Sequence, residues 1–205
     1  MKVNIKRIRQ QQTIDTVNEQ ESEAIQYCLA LACEFCRELR GFGRQRLDDM
    51  IRGMYSVCAE NYTKYREDEN DEEFGAEDIP FLYTGLRNQA TSLGVDTEGI
   101  EKRCAIDPHY GGWKTGHARE KRSWRATLLD NREKLYRSMW YALMIYLWRT
   151  YGWGKDRLTR LYTFVRTNYK VTFQEYLIGT PEKDQWIQTR ERELVDKYKK
   201  LGVKF

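Results

Sequence analysis

Apolar side chains recur at helical spacing along two stretches of the chain. Residues 24–39 and residues 135–147 each place their apolar positions on one face of a predicted helix. When Gly41 is registered on Gly152, the two faces agree position by position. Both stretches therefore predict amphipathic helices that bury one side.

The same short turn follows both helices. Residues 41–47 read GFGRQRL and residues 152–158 read GWGKDRL, with four of seven positions identical. We expect the first glycine to take the positive φ that ends a helix, the aromatic residue to fold back as an apolar contact, and the second glycine to allow a close approach. A second amphipathic helix is predicted after each turn, with its apolar face along residues 47–57 and 158–169.

A third helix is predicted in each half. Pro80 and Pro181 suit the first turn of a helix, and both helices end in Leu-Gly-Val, at residues 93–95 and 201–203. The sequence therefore predicts an all-α chain made of two pseudo-repeated three-helix units.

The predicted organisation has four parts. A short extended N-terminal arm occupies residues 1–15, because its apolar positions partly alternate. The first helical repeat covers residues 16–97 and the second covers residues 131–205. Between them, residues 98–130 form a basic linker and the start of a long helix.

Composition indicates a folded protein of the cytoplasm. Apolar residues make up 40% of the chain and charged residues 32%, and the net charge is only +4. The five cysteines are odd in number and fall mostly on predicted helix faces, which favours buried thiols in a reducing compartment. The N-terminus does not resemble a signal peptide, and the longest apolar run, residues 139–148, is half the length of a membrane span of about 20 residues.

Charge is segregated along the chain. Residues 66–78 contain eight acidic side chains, which indicates either a solvated loop or mimicry of a phosphate backbone. Residues 102–137 contain ten Lys or Arg against four Asp or Glu. This basic stretch is either the charged outer face of a helix or a surface that binds nucleic acid or another partner. Its candidate contacts are Trp113, Lys114, Arg119, Lys121, Arg122 and Arg125.

Both repeated turns place an arginine at the start of a helix. Arg46 and Arg157 face the positive end of the helix dipole, which costs roughly 0.3–1 kcal/mol. Each guanidinium is therefore expected either to bond helix-end carbonyls or a carboxylate, or to contact an anionic partner. Lys155 and Arg160 join Arg157 as candidate partner contacts.

Catalysis has weak support in the sequence. Cys104, Asp107, His109 and His117 lie near one another in the chain, but their spacing matches no common zinc pattern, and no familiar catalytic motif is present. We therefore predict that the chain is not an enzyme and needs no metal or cofactor. A metal-dependent nuclease that uses His109 and His117 is kept as a minor alternative.

The Gly-aromatic-Gly-x-x-Arg-Leu turns, with the helix pairs around residues 24–62 and 135–173, resemble those of small proteins encoded by phages and prophages of Gram-positive bacteria. The resemblance implies a mobile-element origin. By analogy, we expect an accessory binding protein that inhibits a bacterial defence complex, as anti-CRISPR proteins do. Its partner would be a host defence protein or ribonucleoprotein, with nucleic acid as a further partner.

The alternative from another class is a DNA-binding regulator. Turns that contain glycine also join the helices of helix-turn-helix domains, whose second helix enters the major groove. In that case the second repeat would read DNA through Lys155, Arg157, Arg160 and Arg166.

Overall fold

The regular structure of this computed structural model is helical throughout the residues that it describes, which are 25–65, 78–99, 124–177 and 181–205. These ranges contain no strand, so the predicted all-α class is confirmed for them. The predicted N-terminal arm and most of the basic linker lie outside the described residues. A helical turn is present at residues 97–99, and the longer helices are α1 (25–40), α2 (Arg44–Tyr65), α3 (Ile79–Ser92), α4 (Trp124–Tyr151), α5 (Lys155–Leu177) and α6 (Pro181–Lys200).

Two turns of similar backbone geometry join α1 to α2 and α4 to α5. Gly41 has a φ of 66° and Gly152 a φ of 63°, and the N–H of each donates to the carbonyl four residues earlier at 3.0 Å. This is the left-handed ending that glycine favours. The next residue is buried in both turns, since Phe42 is 5% exposed and Trp153 is 3% exposed. The predicted positive φ and folded-back aromatic residue are therefore confirmed.

The second glycine of each turn has a different role from the one predicted. A β-carbon on Gly43 or Gly154 would meet no atom within 4 Å, so neither glycine permits a close approach. Their carbonyls instead accept the first hydrogen bonds of the following helices, from the N–H groups of Leu47 and Leu158 at 3.2 Å. Both glycines are thus N-cap residues, a position that glycine tolerates well.

The helices α3 and α6 also resemble each other at both ends. Each carries proline in its first turn, as predicted. Each ends at a glycine of positive φ, 79° at Gly94 and 84° at Gly202. The N–H of the following valine donates to the carbonyl five residues earlier, at 3.1 Å for Val95 and 3.0 Å for Val203. This is the Schellman ending, and both valines are buried.

The chain divides into two compact units, and each unit contains several helices or parts of helices. Unit 1 comprises Met1–Leu47 and Thr163–Phe205, so it contains α1, the first turn of α2, the later part of α5 and α6. Within it, the rings of Phe35 on α1 and Phe164 on α5 pack with their centroids 5.4 Å apart.

Unit 2 is Asp48–Tyr162 and contains most of α2, all of α3 and α4, and the start of α5. Helix α3 packs against α4, where the rings of Tyr83 and Tyr141 lie 6.2 Å apart. Helices α2 and α4 approach closely at Gly53, because a β-carbon there would overlap the ring of Tyr146. This is a position in the chain at which the missing side chain of glycine is needed for packing.

These compact units are defined by contacts, whereas the predicted ranges 16–97 and 131–205 are defined by sequence similarity. Each half of the sequence contributes to both units. The division into two sequence repeats stays a prediction. Among the described helices, none combines the length and the apolar character needed to cross a bilayer.

The thiols on the described helices are buried as predicted. Cys28, Cys33 and Cys36 are buried, Cys58 is partly buried, and all four carry thiols and not disulfides. Burial raises the pKa of Cys36 and of Cys58 to about 12. These thiols therefore stay protonated and unreactive at neutral pH. Cys104 lies outside the described residues.

Candidate partner-binding corners

Two surface corners carry the arginines that the sequence singled out. We call residues 37–46 the first corner, which belongs to unit 1, and residues 148–157 the second corner, which belongs to unit 2. Arg46 and Arg157 occupy the same place in the two corners, in the first turn of the helix after the turn. Both are exposed, so each can reach a partner.

The guanidinium of Arg46 is positioned by an aromatic ring. Its central carbon lies 5.8 Å from the centroid of the Phe42 ring. Such a cation–π contact contributes about 0.5–1 kcal/mol at an exposed site. Neither Arg46 nor Arg157 bonds a helix-end carbonyl or a carboxylate within the described part of the chain. The expected locking bonds are therefore not the reason these arginines stand at helix starts.

The first residue of α2 and the first residue of α5 each lie beside the end of another helix of the same unit. In unit 1, the Arg44 guanidinium occupies the place that a β-carbon on Gly202 would take. In unit 2, Lys155 lines a small cavity of about 20 Å³ together with Asp96 and Thr159. That cavity has room for about one water molecule. It is too small to be a substrate site.

The candidate cations on α5 differ in exposure. Lys155, Arg157 and Arg160 are exposed, and Arg157 and Arg160 share a helix face because they are three residues apart. Arg166, the fourth cation of the DNA-reading alternative, is partly buried, and its Nε is buried without a hydrogen bond among the described residues. A surface made by α5 alone would therefore use the first three.

Most residues of the predicted basic surface lie outside the described residues. This holds for Trp113, Lys114, Arg119, Lys121 and Arg122, and also for Cys104, Asp107, His109 and His117. The backbone of Arg125 is part of α4. Within the described ranges, no group of three or more His, Cys, Asp or Glu side chains is placed to hold a metal ion.

A carboxylate that the sequence did not single out joins α6 to α1. Glu34 accepts a hydrogen bond from the Tyr198 hydroxyl, and the Lys197 ammonium donates to its two carboxylate oxygens at 3.0 and 2.9 Å. Burial raises the pKa of Glu34, but the hydrogen bonds from Tyr198 and Lys197 more than offset this, so the pKa is lowered overall. Burial and the bond to Glu34 raise the pKa of Tyr198, which is fully buried. We call these three residues the α6 anchor.

The sequence prediction did not include several other cations in and beside the first corner. They are exposed and come from the end of α1, the start of α2, the end of α6 and the residues after it: Arg37, Arg40, Arg44, Lys200 and Lys204. The signal was available in the charge, which is +3 over residues 37–46 and again +3 over residues 199–204. For this part of the chain, the sequence predicted only Arg46, the arginine that both turns share.

The chemistry of the corners follows from the guanidinium group. It is planar, always charged and carries five donors, so it matches phosphate and carboxylate oxygens. In both corners it projects from a helix start whose backbone is fixed by the preceding glycine. No protein family, curated protein or solved structure matches this chain.

Proposed function

We propose that this chain is an accessory binding protein of a phage or another mobile element, which inhibits a bacterial defence complex without catalysing a reaction. It would act in the cytoplasm of the host cell, in the manner of an anti-CRISPR protein. The partner would be a defence protein or a ribonucleoprotein. The resemblance of the two Gly-aromatic-Gly-x-x-Arg-Leu turns to those of phage and prophage proteins supports the origin.

The observation that carries a binding role is the shared form of the two corners. Gly41 and Gly152 differ by only 3° in φ, and the arginine five residues later is exposed in both. An exposed arginine at a helix start is disfavoured by the helix dipole. Its presence at both corners is explained if an anionic partner contacts it.

We also propose that the chain arose by duplication of a three-helix unit. Packing pairs support this idea, because Phe35 contacts Phe164 in unit 1 and Tyr146 contacts Gly53 in unit 2. Under the register of the two corners, Phe35 corresponds to Tyr146 and Gly53 to Phe164. The first helix of each copy thus packs on the second helix of the other copy.

The third helix of each copy also packs on a helix of the other copy. In unit 1, α6 from the second copy is joined to α1 from the first copy by the α6 anchor. In unit 2, α3 from the first copy packs on α4 from the second copy. On this proposal, each compact unit combines the first helix of one copy with later helices of the other.

The inhibition proposal is tested by phage plating on a strain with active CRISPR immunity. We expect expression of the protein to restore plaques towards the number on a strain without immunity. The double variant Arg46→Ala, Arg157→Ala should lose this effect while it keeps the wild-type melting temperature, because both side chains are exposed. The control is Arg190→Ala, Arg192→Ala, which removes the same charge from exposed positions outside both corners.

Two results would contradict this proposal. Full inhibition by the corner variant would show that these arginines are not contacts. Inactivation of the purified defence complex by much less than one equivalent of the protein would show turnover, and therefore an enzyme.

A further inference from the structure

The first corner collects cations from separate elements of unit 1. Arg44 packs on Gly202, so the start of α2 lies at the end of α6. Arg37, in the last turn of α1, is close enough to Tyr198 for their electrostatic interaction. Lys200 lies between Tyr198 and Gly202 in the chain. The end of α6 therefore lies beside the first corner and brings Lys200 and Lys204 to it, whereas Lys199 donates to Gln26 near the start of α1 at 2.9 Å.

The second corner provides an internal comparison. Residues 148–157 carry a net charge of +2, and Arg149 is paired with Glu60 at 2.8 Å. Residues 91–96, which correspond to 199–204, carry a net charge of −1. The glycine positions and the buried aromatic and leucine positions agree between the two corners, whereas the charge at the neighbouring helix end has opposite sign. The positive charge of residues 199–204 is therefore not a requirement of this helix ending.

Residues 37–46 contain one acidic side chain, and residues 199–204 contain none. Glu34 is already engaged by Tyr198 and Lys197. Glu38 is the one acidic residue within the first corner. Clustered like charges repel one another, and a bound polyanion relieves that repulsion by replacing small counterions.

We propose that the first corner, together with Lys200 and Lys204, binds the phosphodiester backbone of a nucleic acid. This inference rests on the proposed function, since it names the part of a defence complex that the protein contacts. A protein partner is less well matched by Lys200 and Lys204, because lysine is depleted at protein interfaces. Within residues 37–46, the exposed large apolar side chain is Leu39, which lies between Arg37 and Arg40 in the sequence. Arginine forks suit phosphate oxygens, and spaced cations suit a regular row of phosphates.

The test is a salt titration with the full chain. Binding to short labelled single-stranded DNA, duplex DNA and duplex RNA is measured by fluorescence anisotropy. For the wild-type protein, the logarithm of the binding constant should fall linearly with the logarithm of the salt concentration. In Arg40→Gln, Lys200→Gln, the slope should fall by roughly 1.4–1.8 units, because each lost phosphate contact removes roughly 0.7–0.9 of a unit.

Matched variants separate this surface from general positive charge. Arg190→Gln, Arg192→Gln removes the same net charge from exposed positions outside both corners and should keep the wild-type slope and affinity. Arg40→Lys, Lys200→Arg keeps the charge and should also keep the slope. Circular dichroism and the melting temperature of each variant establish that it is folded.

Several outcomes would overturn the inference. These are the absence of binding to all three probes at low salt, an equal loss in the corner variant and in the Arg190, Arg192 control, or a lysate partner that resists nuclease treatment but is lost in the corner variant. The last outcome would identify an acidic protein instead. If the wild-type chain binds nucleic acid but fails to restore plaques, the proposed function fails and this inference stands. If it restores plaques without binding nucleic acid, this inference fails and the proposed function stands.

Discussion

At Gly41 the backbone adopts a φ of 66°, a conformation that residues with a β-carbon rarely take. Two residues later, Gly43 contributes its carbonyl to the first hydrogen bond of α2. Both corners therefore have glycine at these two positions, but the two positions need glycine for different physical reasons. The first needs its freedom in φ, and the second caps a helix where other small polar residues would serve equally well.

These roles predict opposite effects of substitution. Gly41→Ala should lower the free energy of unfolding by about 1–2 kcal/mol, because alanine is strained at positive φ. Gly43→Ser should leave it unchanged or raise it by a few tenths of a kcal/mol, because serine is a better N-cap than glycine. Urea unfolding of both variants, compared at an unchanged m-value, measures this difference. Equal losses in the two variants would contradict the assignment.

At the scale of the helices, α6 is held on α1 by the carboxylate of Glu34 and by a hydrogen bond from Lys199 to Gln26 at 2.9 Å. Tyr198 is fully buried, so removal of its acceptor leaves a hydroxyl without a partner in the protein interior. Glu34→Ala should therefore cost about 1–3 kcal/mol at neutral pH. Glu34→Gln keeps an acceptor for the hydroxyl and should cost less. The control is Glu60→Ala, which breaks the exposed pair with Arg149 and should cost no more than about 1 kcal/mol.

The same carboxylate predicts a pH dependence of stability. The pKa of Glu34 is lowered in the folded chain, so its contribution is present above its unfolded pKa of about 4.3 and is lost as the pH falls through the lower folded value. Glu34→Gln should therefore have a flatter stability profile below about pH 4 than the wild-type chain. Urea midpoints measured across this pH range decide the matter, and parallel profiles would show that Glu34 does not titrate with folding.

Local signals in the sequence were enough to predict the helices and their ends. The helical spacing of apolar residues, the prolines of the first turns and the glycines of positive φ each act within a few residues, so they can be read from one sequence. The α6 anchor could not be predicted from such local signals. Tyr198 lies 164 residues from Glu34, and no local pattern links a glutamate on a helix face to a distant tyrosine. The need for glycine at position 53 also depends on a residue far away in the sequence, because a β-carbon there would overlap the ring of Tyr146.

The candidate binding residues illustrate the same limit. The sequence pointed to Arg46 because its position repeats in the second turn, and the side chain is exposed as a contact residue must be. It did not bring in Lys200, because the end of α6 joins the first corner through tertiary packing, such as that of Arg44 on Gly202. A surface formed by residues from distant parts of the chain requires the fold before its charge can be added up.

At the scale of the whole molecule, both compact units draw on the two halves of the sequence. Unit 1 combines residues from Met1–Leu47 with residues from Thr163–Phe205, and unit 2 contains residues on both sides of positions 100–123. A chain cut between positions 100 and 123 would therefore still have non-covalent contacts within each unit. In unit 1 these include the α6 anchor and the contact of Phe35 with Phe164.

We predict that a specific protease site inserted between residues 100 and 123 can be cleaved without separating the two fragments. They should elute together on gel filtration under native conditions and separate in urea, because each half supplies helices to the hydrophobic interior of both units. The same cut in Glu34→Ala should let the fragments dissociate at a lower urea concentration, since that variant weakens the hold of α6 on α1. Elution of two separate folded fragments would contradict the exchange of helices and would show instead that residues 16–97 and 131–205 fold as independent domains.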